Sequence, residues 1–205
     1  MNLNLDSLPF NAFDLALVVI LIAGINRGRK QGMSLELMPL LKWLLVLFVC
    51  AVSYEPISSF FSQSTTVFGT LACYLIAYIG AALIIIGIFA AVKHSVGGKL
   101  VGSDIFGGAE YYFGMGAGLI RFTCALLVAL AILNARYYTP EEVKAEERFQ
   151  NDVYGSTYFP GLQSLQAAVF ERSLTGPWIK DNLSFLLIKP THPGPQMHQK
   201  DATWQ

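Results

Sequence analysis

The sequence predicts an all-α membrane protein: four transmembrane helices followed by a short extracytoplasmic amphipathic helical tail. Three observations predict it. Apolar residues make up 54% of the 205 residues and charged residues 14%, whereas a soluble domain carries about 25% charged residues. No Asp, Glu, Lys or Arg occurs from Pro56 to Val92, and Phe68–Val92 within that stretch is long enough to cross a bilayer, which takes about 20 apolar residues. The third observation is charge placement. Met1–Leu133 holds only Arg27, Arg29, Lys30, Lys42, Lys93, Lys99 and Arg121 against Asp6, Asp14, Glu36, Glu55, Asp104 and Glu110. The shorter remainder carries an equal number of basic groups and more acidic ones, as a solvated tail does. The domain boundaries follow: residues 1–135 form the transmembrane domain, 136–190 the helical tail, and 191–205 a disordered end.

The first span, Phe10–Ile25, is the short one, since 16 residues rise about 24 Å. Asp6 precedes it and Arg27, Arg29 and Lys30 follow it. That order is the reverse of a cleaved signal peptide, so a retained helix is expected. Asn11 fits its N-cap, and Asp14 its first turn, where the helix dipole favours an anion. The second span, Leu35–Ser53, is interrupted by Glu36, Pro39 and Lys42, and Lys42 lies near enough to headgroups to snorkel. The third, Phe68–Val92, shows no polar stripe and is apolar all round, as a lipid-facing helix is. The fourth, Gly107–Leu133, contains Glu110 and Arg121.

Orientation follows from the loops. Asn26–Gly32 has three basic residues and no acid, Tyr54–Val67 has only Glu55, and Lys93–Phe106 has Lys93 and Lys99 against Asp104. Basic loops stay in the cytoplasm. Both termini, the second loop and the tail are therefore expected outside. In the tail, Thr139-Pro140-Glu141-Glu142 is a helix start with a capping box, opening a helix from Pro140 to about Asn151. A second helix is expected over Leu162–Leu174, with Leu162, Leu165, Val169 and Ser173 on one face and Gly176-Pro177 as its stop. Trp178, Ile179 and Phe185–Ile188 are suited to the membrane surface or to packing on the bundle.

Chemistry-bearing sets are absent from the pattern. Cys50, Cys73 and Cys124 all lie in apolar runs, without disulfide or zinc spacing. His94, His192 and His198 make no metal site. Gly97-Gly98-Lys99 lacks the remaining residues of a phosphate loop, since Lys93 and Leu100 occupy their places. Zero net charge argues against a general nucleic-acid binder. Asp14 is expected at one interface and Glu36 and Glu110 at the other, so no acid–base pair forms across about 30 Å of hydrocarbon. No enzymatic activity, cofactor or metal is expected. The expected partners are the lipid bilayer and either another membrane protein or further copies of the chain; the alternative function is a small oligomeric channel or transporter.

The fourth helix is the most informative. Glu110, Gly114, Gly118 and Arg121 are spaced four, four and three apart, which places them on one face. Gly114 and Gly118 form a small-xxx-small pair that permits close helix approach. Arg121 is about 12 Å deeper than Phe113 and should face protein, where Glu36 is the first candidate acceptor and carbonyls freed by Pro39 the second.

Three stretches resemble the colicin V production protein family: Asp14 opening the aliphatic helix FDLALVVILIAG; the turn Gly24-Ile25-Asn26-Arg27-Gly28 followed by MSLEL with Glu36; and Asp104-Ile105-Phe106-Gly107-Gly108, then Gly118-Leu119-Ile120-Arg121. The likeness covers most of Asn11–Leu133. Arg121-Phe122 stands where that family usually has Arg-Gly, and the tail from Tyr138 is distinctive. The resemblance implies a bacterial inner-membrane protein linked to bacteriocin production or export and to envelope upkeep, with no enzymatic activity. Asp14, Arg27, Gly28, Glu36, Asp104, Gly108, Gly114, Gly118 and Arg121 are the candidate structural or functional residues.

Overall fold

A computed structural model describes residues 11–64, 69–96, 107–154 and 161–191. The described residues are almost entirely helical. Helix α1 spans Ala12–Ser64, α2 Thr70–Val96 and α3 Glu110–Asn134, the last preceded by a 3-10 turn at Gly107–Ala109. Then come α4 (Pro140–Tyr154), α5 (Leu162–Phe170), α6 (Thr175–Asn182) and a 3-10 turn at Ser184–Leu186.

Three helices are long and apolar enough to cross a membrane: Ala12–Gln63, Thr70–Ser95 and Gly107–Asn134. The four expected spans map onto these three because the first two both fall in α1. That helix breaks at Gly32, where φ is 73° and ψ 169°, a region essentially closed to residues with a Cβ. The break divides α1 into a limb of residues 12–31 and a limb of residues 33–64. The stretch Asn26–Gly32 is therefore not a loop. Residues 26–31 continue the first limb, because nothing in Asn26-Arg27-Gly28-Arg29-Lys30-Gln31 breaks a helix before Gly32 does. Likewise, the expected second loop is helical from Tyr54 to Ser64.

The limbs run in opposite directions, as their contacts show. Near the start of the first limb, Asp14 bonds Leu174 and Thr175. Along the second limb, Tyr54 receives the Lys189 N–H at 3.4 Å. At the end of α3, Asn134 Nδ2 donates to the Ile188 carbonyl at 3.0 Å. The C-terminal segment from α5 to Thr191 thus gathers three helix ends. Tyr74, near the start of α2, lies edge-on to Tyr54 with ring centroids 5.4 Å apart, so α2 begins at the same end. Gly32 and the start of α3 lie together at the other.

Both α2 and α3 pack on α1. The core between them includes Val46, Leu47, Cys50 and Tyr54 from α1, Tyr78 from α2, and Cys124, Leu127 and Ala131 from α3. All three cysteines are buried free thiols. Outward, Leu15, Val18, Val19 and Ile22 of α1 and Leu83, Ile84 and Ile88 of α2 are exposed, as hydrocarbon-facing side chains are.

The tail helices keep the first expected element and depart from expectation after it. The capping box at Thr139 is present: Thr139 N–H donates to Glu142 Oε2, and Glu142 N–H to Thr139 Oγ1, both at 3.3 Å. The helix it opens runs to Tyr154. The next helix, however, ends at Phe170 instead of Leu174, and Gly176-Pro177 opens α6 instead of closing α5. Proline suits a first helical turn, where its missing N–H would have no partner anyway. Gly176 lets that turn press on α5: a Cβ there would overlap the Val169 carbonyl. On the expected α5 face, Val169 and Ser173 are buried while Leu162 and Leu165 are exposed. Ile179 and Leu186–Ile188 join the core, whereas Trp178 and Phe185 face outward. Thr191, placed in the disordered end from sequence, instead pairs with the end of α3. Its N–H donates to the Ala135 carbonyl at 2.9 Å, and its own carbonyl accepts the Tyr137 N–H at 3.1 Å. The remainder of that end lies outside the described residues, as does Gly97-Gly98-Lys99.

Candidate functional site

Gly24, Gly28 and Gly32 recur every four residues on the first limb of α1, and so lie along one side of it. On α3, Glu110, Gly114 and Gly118 do the same. The two stripes meet in antiparallel register. A Cβ on Gly24 would lie 3.0 Å from the Gly118 carbonyl oxygen. A Cβ on Gly28 would overlap the Gly114 carbonyl, and one on Gly118 the Gly24 carbonyl. The helices are therefore in backbone contact, which only glycine permits and which supplies dispersion contacts unavailable from lipid. Gly114 and Gly118 were expected to pack against a helix; their partners, Gly24 and Gly28, were not identified from sequence, although the four-residue recurrence was there to be read.

The seam ends at Gly32, against the Glu110 side chain. Glu110 Oε1 accepts the Ser34 N–H at 3.3 Å. Ser34 stands in the first turn of the second limb, whose N–H groups have no partner within the helix. The carboxylate meets that need and also suits the positive end of the helix dipole. Glu110 thus stabilises the chain reversal that Gly32 makes.

One turn further along, Arg121 Nη1 donates to Glu36 Oε2 at 2.5 Å. The Glu36 side chain has no exposure and that of Arg121 has 14%. The acceptor is the carboxylate and not a carbonyl freed by Pro39. Two charges removed from water hold together because each cancels the field of the other, and removing one would leave the other buried alone. Glu36 Oε1 has no hydrogen-bond partner among the described residues. The arginine also lies over the Phe122 ring, its guanidinium carbon 5.1 Å from the centroid.

Arg121 lines a cleft of about 620 Å³ between α1 and α2. Arg27, from the last turns of the first limb, stands at it too, together with Lys42 of the second limb and Lys93 of α2. Lys42 also sits over the Trp43 ring, 5.7 Å from its centroid. Arg27 and Lys93 are exposed and Lys42 is half-buried.

Asp14 belongs to the opposite end. It is buried and accepts from the Leu174 N–H at 3.0 Å, the Thr175 N–H at 3.3 Å and the Thr175 hydroxyl at 2.7 Å. It also accepts the Asn11 N–H at 3.3 Å. It keeps the expected place in the first turn of its own helix and, beyond that, caps α6 from a distance and fastens the C-terminal segment to α1. Asn11 shares that work through Nδ2, which donates to the Ala168 carbonyl at 2.8 Å. Of the other candidate residues, Gly108 is exposed in the turn before α3, with open space where a Cβ would lie. Asp104 lies outside the described residues.

The structure thus brings Gly28, Gly114, Gly118, Glu36 and Arg121 together on the α1–α3 interface, puts Arg27 beside them on the cleft, and sets Asp14 apart. The model of one protein family, described as colicin V production protein, matches residues 13–167. That range holds Asp14, the glycine seam, Glu36 and Arg121. It also runs through α4 into α5, so the tail up to Ala167, distinctive by its sequence, falls within the family match. No curated protein and no solved structure matches. With three quarters of its length inside the match, this membrane protein belongs to the colicin V production protein family.

Proposed function

We propose that the protein is a non-enzymatic accessory protein of the bacterial inner membrane, supporting bacteriocin production and secretion and envelope maintenance through contacts with the bilayer and with another membrane protein. It crosses the membrane four times, with both termini and the C-terminal segment outside. The family supports the biological role. The observation that carries the topology is the reversal at Gly32, after which both limbs of α1 reach the same C-terminal segment. The first limb, residues 12–31, rises about 30 Å, the thickness of the hydrocarbon. Arg27, Arg29 and Lys30 gather at the Gly32 end, the end that positive-inside assigns to the cytoplasm.

A reporter active only in the cytoplasm, fused after Gln205, is expected to be silent in this topology; full activity contradicts it. For the role, a deletion strain should show impaired secretion or a leakier envelope, and gentle purification should retain a membrane partner. Unchanged secretion and barrier, together with repeated absence of a partner, would remove the accessory role. A second reading, a small oligomeric channel or transporter, draws on the buried Glu36–Arg121 pair beside the cleft. Four helices are few to enclose a path, so a strictly monomeric particle in native mass measurement excludes it.

A further inference from the structure

We propose that the cleft between α1 and α2 is a binding site for one anionic glycerophospholipid, its phosphate held by Lys42, Lys93, Arg27 and Arg121 and an acyl chain laid on the apolar wall beside them. The proposal rests on charge complementarity. Among the described residues, those lining the cleft include these four cations and no carboxylate. Glu36 is fully buried and already engaged with Arg121. That bond uses one of the five N–H donors of a guanidinium, which leaves Arg121 donors for a phosphate oxygen. Cations from both limbs of α1, from α2 and from α3 thus meet in one cleft.

The walls define the rest of the ligand. Leu35, Met38, Trp43, Ile86 and Phe89 also line the cleft, and Leu35 and Met38 are exposed to the surroundings of the bundle. A free phosphate or a nucleotide would leave those side chains unused. A lipid entering from the side satisfies both parts, because its headgroup stays at the level of the basic residues while its chain continues in hydrocarbon. Lys93 lies in the last turn of α2, and Lys42 ten residues beyond the Gly32 break, about 15 Å along the helix, so that its long side chain reaches the phosphate by snorkelling toward the interface. The cleft therefore runs from the interface inward, as a site for a membrane lipid must. Basic pockets between transmembrane helices on the cytoplasmic side are a recognised setting for anionic headgroups. The proposal deepens the reading above by naming a lipid class; only the leaflet it assigns depends on the topology.

The test uses the full-length protein in a neutral detergent, titrated with dioleoyl phosphatidylglycerol, dioleoyl phosphatidylcholine or inorganic phosphate and read by native mass spectrometry. One phosphatidylglycerol per chain should be retained in preference to phosphatidylcholine. The double variant Lys42→Gln/Lys93→Gln should bind it about tenfold more weakly or worse. Lys42→Arg/Lys93→Arg should keep the binding, as should Lys180→Gln, which alters an exposed lysine on α6. The folding control is a single size-exclusion peak for each variant. Should the glutamine pair aggregate, Arg27→Gln on the exposed rim serves in its place, with a loss of affinity again expected. Equal retention of phosphatidylcholine, or glutamine variants that bind like Lys180→Gln, would overturn the site. Inorganic phosphate displacing the lipid at matched concentration would overturn the lipid as occupant and leave an anion site only. A micelle has no sidedness, so these outcomes are independent of the reporter fusion, which tests the topology by itself.

Discussion

Asp14 and Thr175 are 161 positions apart in the chain and share a hydrogen bond of 2.7 Å from hydroxyl to carboxylate. With the two backbone N–H groups that reach the same carboxylate, this contact ties α6 to α1. Hydrogen bonds to a charged acceptor contribute about 1.5–3 kcal/mol each, and their losses within one cluster are not additive. Asp14→Ala should therefore destabilise the protein by about 2–4 kcal/mol in denaturant titration in detergent, and Thr175→Val by about 1 kcal/mol. The double variant should lose less than the two combined. Additive losses would mean that the two groups do not act on each other.

The Glu36–Arg121 pair makes a different demand. Each single change strands a buried polar or charged partner, at a cost of about 3–5 kcal/mol. Glu36→Gln and Arg121→Gln should each lower the yield of monodisperse protein, and the double change should restore part of it. Two losses that simply add would argue against the pairing.

That pair and the glycine face of α3 were legible in the sequence, because a charge deep in a span requires a partner and a spacing of four fixes a face. The capping box at Thr139 was legible because it is contained within four residues. The tail's attachment was not. Asp14 looked like a local first-turn acid, and helical periodicity carries no trace of a partner 160 residues away. The reversal between the first two spans was legible, but its form, a single break at Gly32, was obscured for another reason. Asn26-Arg27-Gly28-Arg29-Lys30 has the composition of a loop, yet Gly28 is there to let α3 approach and the bases stand on helix. A single glycine at positive φ ends the limb without the usual cluster of turn residues.

The glycines separate into two groups that substitution should distinguish. Gly28→Ala, Gly114→Ala and Gly118→Ala force a methyl group into backbone and should each cost about 3 kcal/mol. Gly80→Ala and Gly87→Ala, with open space around them on α2, should be neutral or stabilising by up to about 1 kcal/mol. Thermal unfolding followed by loss of the monomer peak provides the comparison. Equal effects in the two groups would contradict the seam.

Gly32→Asn should be no better tolerated than Gly32→Ala. Asparagine commonly relieves left-handed backbone when ψ is near 50°, but the ψ of 169° here lies where only glycine is comfortable. Both variants should lose about 2 kcal/mol or more. An asparagine variant as stable as the parent would show that the turn is not strained in this way.

Cysteine labelling on either side of the reversal tests the account most directly. In a background with Cys50, Cys73 and Cys124 replaced, Lys30→Cys and Ser59→Cys would be treated with a membrane-impermeant maleimide on intact and on permeabilised cells. The account predicts that Ser59→Cys labels in intact cells and Lys30→Cys only after permeabilisation, as the proposed double crossing of α1 about Gly32 requires. Labelling of both positions from the same side would contradict it.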